Sequence, residues 1–200
     1  MQRVPMSPEA IELLSKMTGS RFERESIARS DLFLACSIWV MLGTLFVDGT
    51  IENRETQQLQ LVLDRLIETD LDLRQFSRAV LQGIRQHKIY QRPEKLPILG
   101  AYLSVGEKLL LLGFGCQMSG IDGKIHLKER QYLGTIASYL QVNYSYFAIL
   151  EATFLGTQVS DDRALAEVYD LLDPTRFPSP DAVSVAAARY LREYLPPLDS

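Results

Sequence analysis

Apolar residues recur at helical spacing along most of the chain. Ser7-Pro8-Glu9 opens the first helix: Ser can cap, Pro suits the first turn and Glu faces the positive end. Ile11, Leu13, Leu14 and Met17 form its apolar side, and Thr18-Gly19-Ser20 closes it. Arg21 to Arg29 alternates in charge and reads as a solvated segment. Ser30-Asp31 then starts an uncharged run of 16 residues, Leu32 to Val47, holding the only Trp of the chain. That is short of the roughly 20 apolar residues a spanning helix needs, so the run reads as a helix buried on nearly all sides of a bundle.

From about Asn53 to Glu68, Leu59, Val62, Leu63, Leu66 and Ile67 mark one helix face. Asp70 or Asp72 can cap a further helix carrying Leu73, Phe76, Val80, Leu81 and Ile84. Pro93 and Pro97 bracket a connector, and Leu96 to Leu103 is apolar enough for a short packed segment. Ser104-Val105-Gly106-Glu107 has capping-box form ahead of the run Leu109 to Leu112. Gly113 and Gly115 interrupt that run and permit close helix–helix approach. Leu133, Ile136, Ala137 and Leu140 form another amphipathic stripe; after Asn143, Tyr144, Phe147, Ile149, Leu150 and Phe154 form the next, closed by Gly156. No stretch shows strand alternation that competes with these patterns. The expectation is an all-α helical bundle of roughly eight to ten helices.

One motif occurs twice. Asp48-Gly49-Thr50-Ile51-Glu52-Asn53-Arg54-Glu55 and Asp122-Gly123-Lys124-Ile125-His126-Leu127-Lys128-Glu129 share D-G-x-I-x-x-x-E, 74 positions apart (122 − 48). At the same offset Leu59 answers to Leu133, Val62 to Ile136, Leu63 to Ala137 and Leu66 to Leu140. The bundle therefore reads as two pseudo-repeated helix–acidic loop–helix units followed by C-terminal helices.

The motif coincides with the second half of an EF-hand loop, with Asp at position 5, Gly at 6, Ile at 8 and Glu at 12. Positions 1 and 3 are Thr44 and Phe46 in one copy and Met118 and Gly120 in the other, so neither copy alone makes a calcium cage. Two half-sites brought together would gather Asp48, Glu55, Asp122 and Glu129, a hard oxygen set suited to Ca²⁺, Mg²⁺ or Mn²⁺. The same residues also make good turns and helix starts, because Asp-Gly favours a turn and Glu favours the first helical turn. Two readings stay open: a shared cation site, or two well-made turns left by a duplication.

On these residues the chain resembles the TerB-like superfamily, all-helical modules named for bacterial tellurite resistance. The resemblance covers roughly residues 30–156: paired apolar helices, each leading into an acidic D-G loop and a helix that begins with Glu. It implies a metal-binding or membrane-associated stress protein, with Asp48, Glu55, Asp122 and Glu129 at the matching positions. The chain departs from the family in having Val47 and Ile121, where the family often has Ala, before the Asp. The segment after 157 lies outside the shared module, and both departures point away from a direct role in tellurite resistance. The expected division is a TerB-like helical domain over 1–157 and a C-terminal helical extension over 158–200.

Composition adds limits. The chain of 200 residues is 46% hydrophobic and 23% charged, with net charge −4, which gives no global drive towards nucleic acid. Arg85, His87, Lys88, Arg92 and Lys95 stand against only Glu94, with Tyr90 among them; cations at a helix C-terminus account for such a patch. Cys36 and Cys116 sit in apolar runs and read as buried thiols. The start, Met-Gln-Arg-Val-Pro, has no apolar signal core, so the expected location is cytoplasmic. No P-loop, dinucleotide fingerprint or nucleophile–base arrangement is visible, so the expected protein is not an enzyme. Residues 151–200 hold nine acidic and four basic side chains. Within them, Ser160-Asp161-Asp162 starts one helix, and Asp181 starts another bearing Val183, Ala187, Tyr190, Leu191, Tyr194 and Leu195 after the linker Phe177-Pro178-Ser179-Pro180. The apolar side of that last helix must pack on the bundle, a partner or a following domain, which makes Tyr190, Tyr194 and Leu195 the candidate partner-binding residues. The expected function is binding of a divalent cation or a protein partner through the acidic loops, with peripheral membrane association as an extension; the alternative is a ligand-free scaffold or regulatory interaction domain.

Overall fold

The computed structural model describes residues 4–22, 27–47, 49, 53–67, 70–122 (Asp122 by its backbone alone) and 124–198. Among them the chain forms ten α-helices and no β-sheet. The helices are α1 (Pro8–Thr18), α2 (Arg29–Phe46), α3 (Asn53–Ile67), α4 (Leu71–Gln86), α5 (Leu96–Gly100), α6 (Val105–Ser119), α7 (Leu127–Tyr139), α8 (Tyr144–Leu155), α9 (Asp162–Leu171) and α10 (Ala182–Arg192). Short 3-10 turns at Ile89–Gln91, Pro93–Lys95, Gly120–Asp122 and Pro174–Arg176 join them.

Local chemistry sets most of the helix starts. Ser7 Oγ accepts the Ala10 amide at 3.2 Å, and Gly19 closes α1 at φ +71°, a conformation that glycine adopts without a Cβ penalty. Asp70 caps α4, Asn143 caps α8, Asp161 caps α9 and Asp181 caps α10, each through a side-chain oxygen. Ser104 and Glu107 form the expected capping box at the start of α6.

The centre of the molecule is the pair α2 and α6, whose residues are buried on almost every side. Trp39, Phe33 and Phe114 are fully enclosed, and removing each such side chain from water contributes roughly 1.5–3 kcal/mol. By length and composition α2 is apolar enough to cross a membrane, yet 83% of it is buried inside the protein. Around this pair, α4 packs on α1 and α2, and α8 packs on α6 and α9. α7 lies against α2, α6 and α8, while α3 lies against α10 and α6.

Close packing of α6 depends on its two interior glycines. A Cβ at Gly113 would lie 2.4 Å from Leu191 Cδ2, and one at Gly115 would lie 2.3 Å from Leu133 Cδ2. α10 and α7 therefore sit nearly on the α6 backbone.

The last segment shares the same core. Leu165, Val168, Leu172, Phe177, Val183, Ala187, Leu191 and Leu195 join one continuous apolar cluster that begins at Met6. Of the three choices open for the apolar side of α10, the bundle is the one realised: it packs on α3, α2 and α6.

Candidate partner-binding face and acidic loops

The acidic loops lie partly outside the described residues: Asp48, Thr50, Ile51, Glu52, Gly123 and the Asp122 side chain are all beyond them. Gly49 adopts φ +93° and its amide donates to the Phe46 carbonyl at 3.0 Å, the tight turn expected of an Asp-Gly pair. Glu55 lies in the first turn of α3 and Glu129 in the first turn of α7. Glu129 is only 6% exposed, and its Oε2 accepts the His126 amide at 2.8 Å. Its carboxylate thus turns back to cap its own helix. Among the described residues no group of three or more His, Cys, Asp and Glu side chains is placed to hold a metal ion.

The three candidate partner residues lie together at the end of α10 and just beyond it. Leu195 is 6% exposed and anchors the segment from inside, whereas Tyr194 is 45% exposed. The Tyr190 hydroxyl accepts the Gln117 Nε2 hydrogen at 2.5 Å and lies 3.0 Å from the Tyr194 hydroxyl. The two rings meet edge to face at 5.3 Å. Behind them, Phe114 stacks on Tyr190 and Phe154 tilts against Tyr194. The Arg65 guanidinium of α3 stands 5.7 Å from the Tyr190 ring centre, in cation–π range. An adjoining cleft of about 380 Å³ is lined by Arg65, Ala182, Val185, Arg189, Tyr190 and Glu193. Partial burial, then the hydrogen bond with Tyr190, pushes the Tyr194 phenol up to about 12. The Tyr194 phenol is therefore neutral at ordinary pH, and each ring offers a polar edge over an apolar base.

Two ion pairs were not visible in the sequence pattern. Arg29, at the start of α2, donates from Nε and Nη2 to Glu107 at 3.0 and 2.5 Å, and the Glu107 side chain is 1% exposed. The sequence pattern places Arg29 in a solvated segment; the structure sets it inside, after the buried Ile27 and Ala28. Arg130 makes the corresponding two-pronged bond to Glu151, at 2.6 and 3.0 Å, joining α7 to α8. Only the S-x-x-E capping box signalled Glu107 in the sequence. Nothing local pointed to a partner 78 positions away.

The basic stretch after α4 is built into the bundle at its aromatic residue. Tyr90 stacks on Phe46 at 4.5 Å with the Arg85 guanidinium 5.9 Å from the Phe46 ring, so this ring already has its stacking partner. A separate cleft of about 400 Å³ opens between the start of α6 and α9. There Tyr146 donates to Glu167 at 2.7 Å, a bond that lowers the Glu167 pKa, and Arg176 pairs with Asp170 at 2.9 Å. No protein-family model, curated protein or solved structure matches this chain.

Proposed function

We propose that the protein is a non-enzymatic interaction module that holds a protein partner on the face formed by Tyr190, Tyr194 and the flanking Arg65 and Arg189. The observation that carries this reading is the exposed Tyr194 ring set against Tyr190 beside an open cleft. Tyr and Arg are the side chains most often responsible for binding energy at protein interfaces, and rings already held by neighbours lose little entropy when a partner arrives. The well-buried carboxylates of Glu107 and Glu151 are matched to arginines, which suits a structural scaffold rather than proton transfer. The test is affinity capture with wild type and Tyr194→Ala, with helicity and melting temperature checked in parallel. Loss of a stoichiometric partner from a folded Tyr194→Ala protein is expected; equal recovery by both refutes the assignment.

A second reading keeps the acidic loops. Each Asp-Gly pair precedes in sequence a helix with Glu in its first turn, Glu55 in α3 and Glu129 in α7. In this reading Asp48, Glu55, Asp122 and Glu129 bind Ca²⁺, Mg²⁺ or Mn²⁺, and the TerB-like resemblance extends it to stress response or a membrane-associated assembly in the cytoplasm. Calorimetry with each ion tests it. Absence of binding, or binding unchanged in Asp48→Ala plus Asp122→Ala, overturns it.

A further inference from the structure

The two arginines beside Tyr190 have no counter-charge. Arg65 lies in the last turn of α3 and Arg189 in the last turn of α10, and these two helices pack on each other. Both side chains line the cleft of about 380 Å³, and both residues are exposed. Arg29, Arg130, Arg163 and Arg176 are each paired with a carboxylate. Among the described residues Arg65 and Arg189 have no ion pair.

The surroundings say what charge is missing. Arg65 is held at the face of the Tyr190 ring, which is itself backed by Phe114, so its planar N–H fork is steadied before a ligand arrives. Glu193 also lines the cleft, four positions after Arg189, the spacing at which charges on a helix meet, yet the two do not pair. The charged groups of the lining therefore sum to +1, two arginines less one glutamate. A monoanion balances that sum; a phosphate dianion would leave negative charge in excess beside Glu193.

The rest of the lining is apolar, with Val185, Ala186 and the Tyr190 ring half-buried around it. The Tyr190 hydroxyl is engaged by Gln117 and Tyr194, so recognition of charge falls to the guanidiniums. We infer that this cleft takes an acidic–apolar segment of the partner protein, an inference that rests on the partner-binding reading above. A Glu or Asp carboxylate meets Arg65 and Arg189, and a neighbouring apolar side chain covers Val185, Ala186 and the Tyr190 ring. Arginine matches a carboxylate with parallel N–H bonds, and the volume suits a few side chains.

The test is a ¹H–¹⁵N chemical-shift titration of the whole protein with acetyl-Leu-Glu-Leu-amide. Saturable shifts are expected at the Nε–H signals of Arg65 and Arg189 and at the Val185 and Ala186 amides, with Kd of about 1 mM or tighter. Acetyl-Leu-Gln-Leu-amide should bind about tenfold more weakly, as for the loss of a charged acceptor. Sodium acetate, which lacks the apolar part, should also bind more weakly, and the peptide with phosphoserine in place of Glu should bind no more tightly. Arg65→Gln and Arg189→Gln should each weaken binding about fivefold, the size expected of an exposed pair, and Glu193→Gln should strengthen it. The inference is overturned by no saturation with the Glu peptide, by equal affinity for the Gln peptide or acetate, by tighter binding of the phosphoserine peptide, or by unchanged affinity in both arginine variants. Capture with Tyr194→Ala separates the two levels. If that variant loses its partner and the Glu peptide does not saturate, the face stands and the carboxylate is refuted. Equal capture by wild type and Tyr194→Ala refutes the face, and with it a protein source for the carboxylate.

Discussion

Replacing Glu107 by Ala would expose how strongly the two central helices are tied. The carboxylate accepts two hydrogen bonds from Arg29, one from the Ser104 amide at 2.7 Å and one from the Ser104 hydroxyl at 2.6 Å. It is almost wholly buried, and the Arg29 side chain is only 12% exposed. Truncation therefore leaves a guanidinium inside the protein with its counter-charge gone. Breaking one side of such a pair costs about 3–5 kcal/mol, and in a chain of this length each kcal/mol moves Tm by about 2–4 °C. The expected loss in Tm is then about 6–20 °C on those two ranges. Glu107→Gln keeps an acceptor for the Ser104 amide and should fall between wild type and Ala. The double variant Arg29→Leu/Glu107→Leu removes both charges and should recover most of the loss, leaving about 1 kcal/mol for the missing cap. Urea unfolding of wild type and the three variants provides the comparison. A loss below about 1 kcal/mol in Glu107→Ala would put this bridge in the class of solvated surface pairs and refute the reasoning. So would a double variant no more stable than the single one.

Other perturbations test separate parts of the structure. Gly83→Ala in α4 places a Cβ 1.9 Å from the Met17 carbonyl oxygen of α1, so it should destabilise by at least about 2 kcal/mol in urea unfolding. Gly134→Ala in α7 meets nothing within 4 Å and should instead stabilise by up to about 1 kcal/mol. Cys36 and Cys116 are fully buried, and burial pushes both thiols up, so Ellman's reagent at pH 8 should label neither until the protein unfolds. The Tyr194 phenol, raised to about 12, favours the neutral form in the folded state. Its contribution is therefore complete below the ordinary tyrosine range near pH 10 and lost as pH rises towards 12. Ultraviolet titration should show a late phenolate step that Tyr194→Phe removes.

The helix starts were legible because capping is local. Ser7, Asp70, Ser104, Asp161 and Asp181 each act on amides within a few positions, so type and spacing were enough. The close approach at Gly113 and Gly115 was legible for a related reason: a glycine in an apolar helix makes room for a neighbour. Which neighbour was not legible. Leu191 meets Gly113 from 78 positions away, and the identity of that partner is a property of the whole bundle. The location of Arg29 failed for the same cause. Alternating charges suggest water, and only the assembled α2–α6 pair supplies the buried carboxylate that reverses the inference.

The acidic positions show a deeper limit. A carboxylate that caps a helix and one that holds a cation occupy the same sequence context, since both need an acid near a turn and a helical start. Glu129 demonstrates the ambiguity: it fits position 12 of a cation loop, and its carboxylate accepts the His126 amide. Arg65 and Arg189 show the converse. Neither stands in a motif, and a cation near a helix C-terminus is ordinary. Only folding puts both on one cleft, where neither has an ion pair among the described residues. What distinguishes a site from a cap is thus the balance of charges and hydrogen-bond partners left after local structure has taken its share. That remainder is set by tertiary convergence, and residue spacing along the chain carries no record of it.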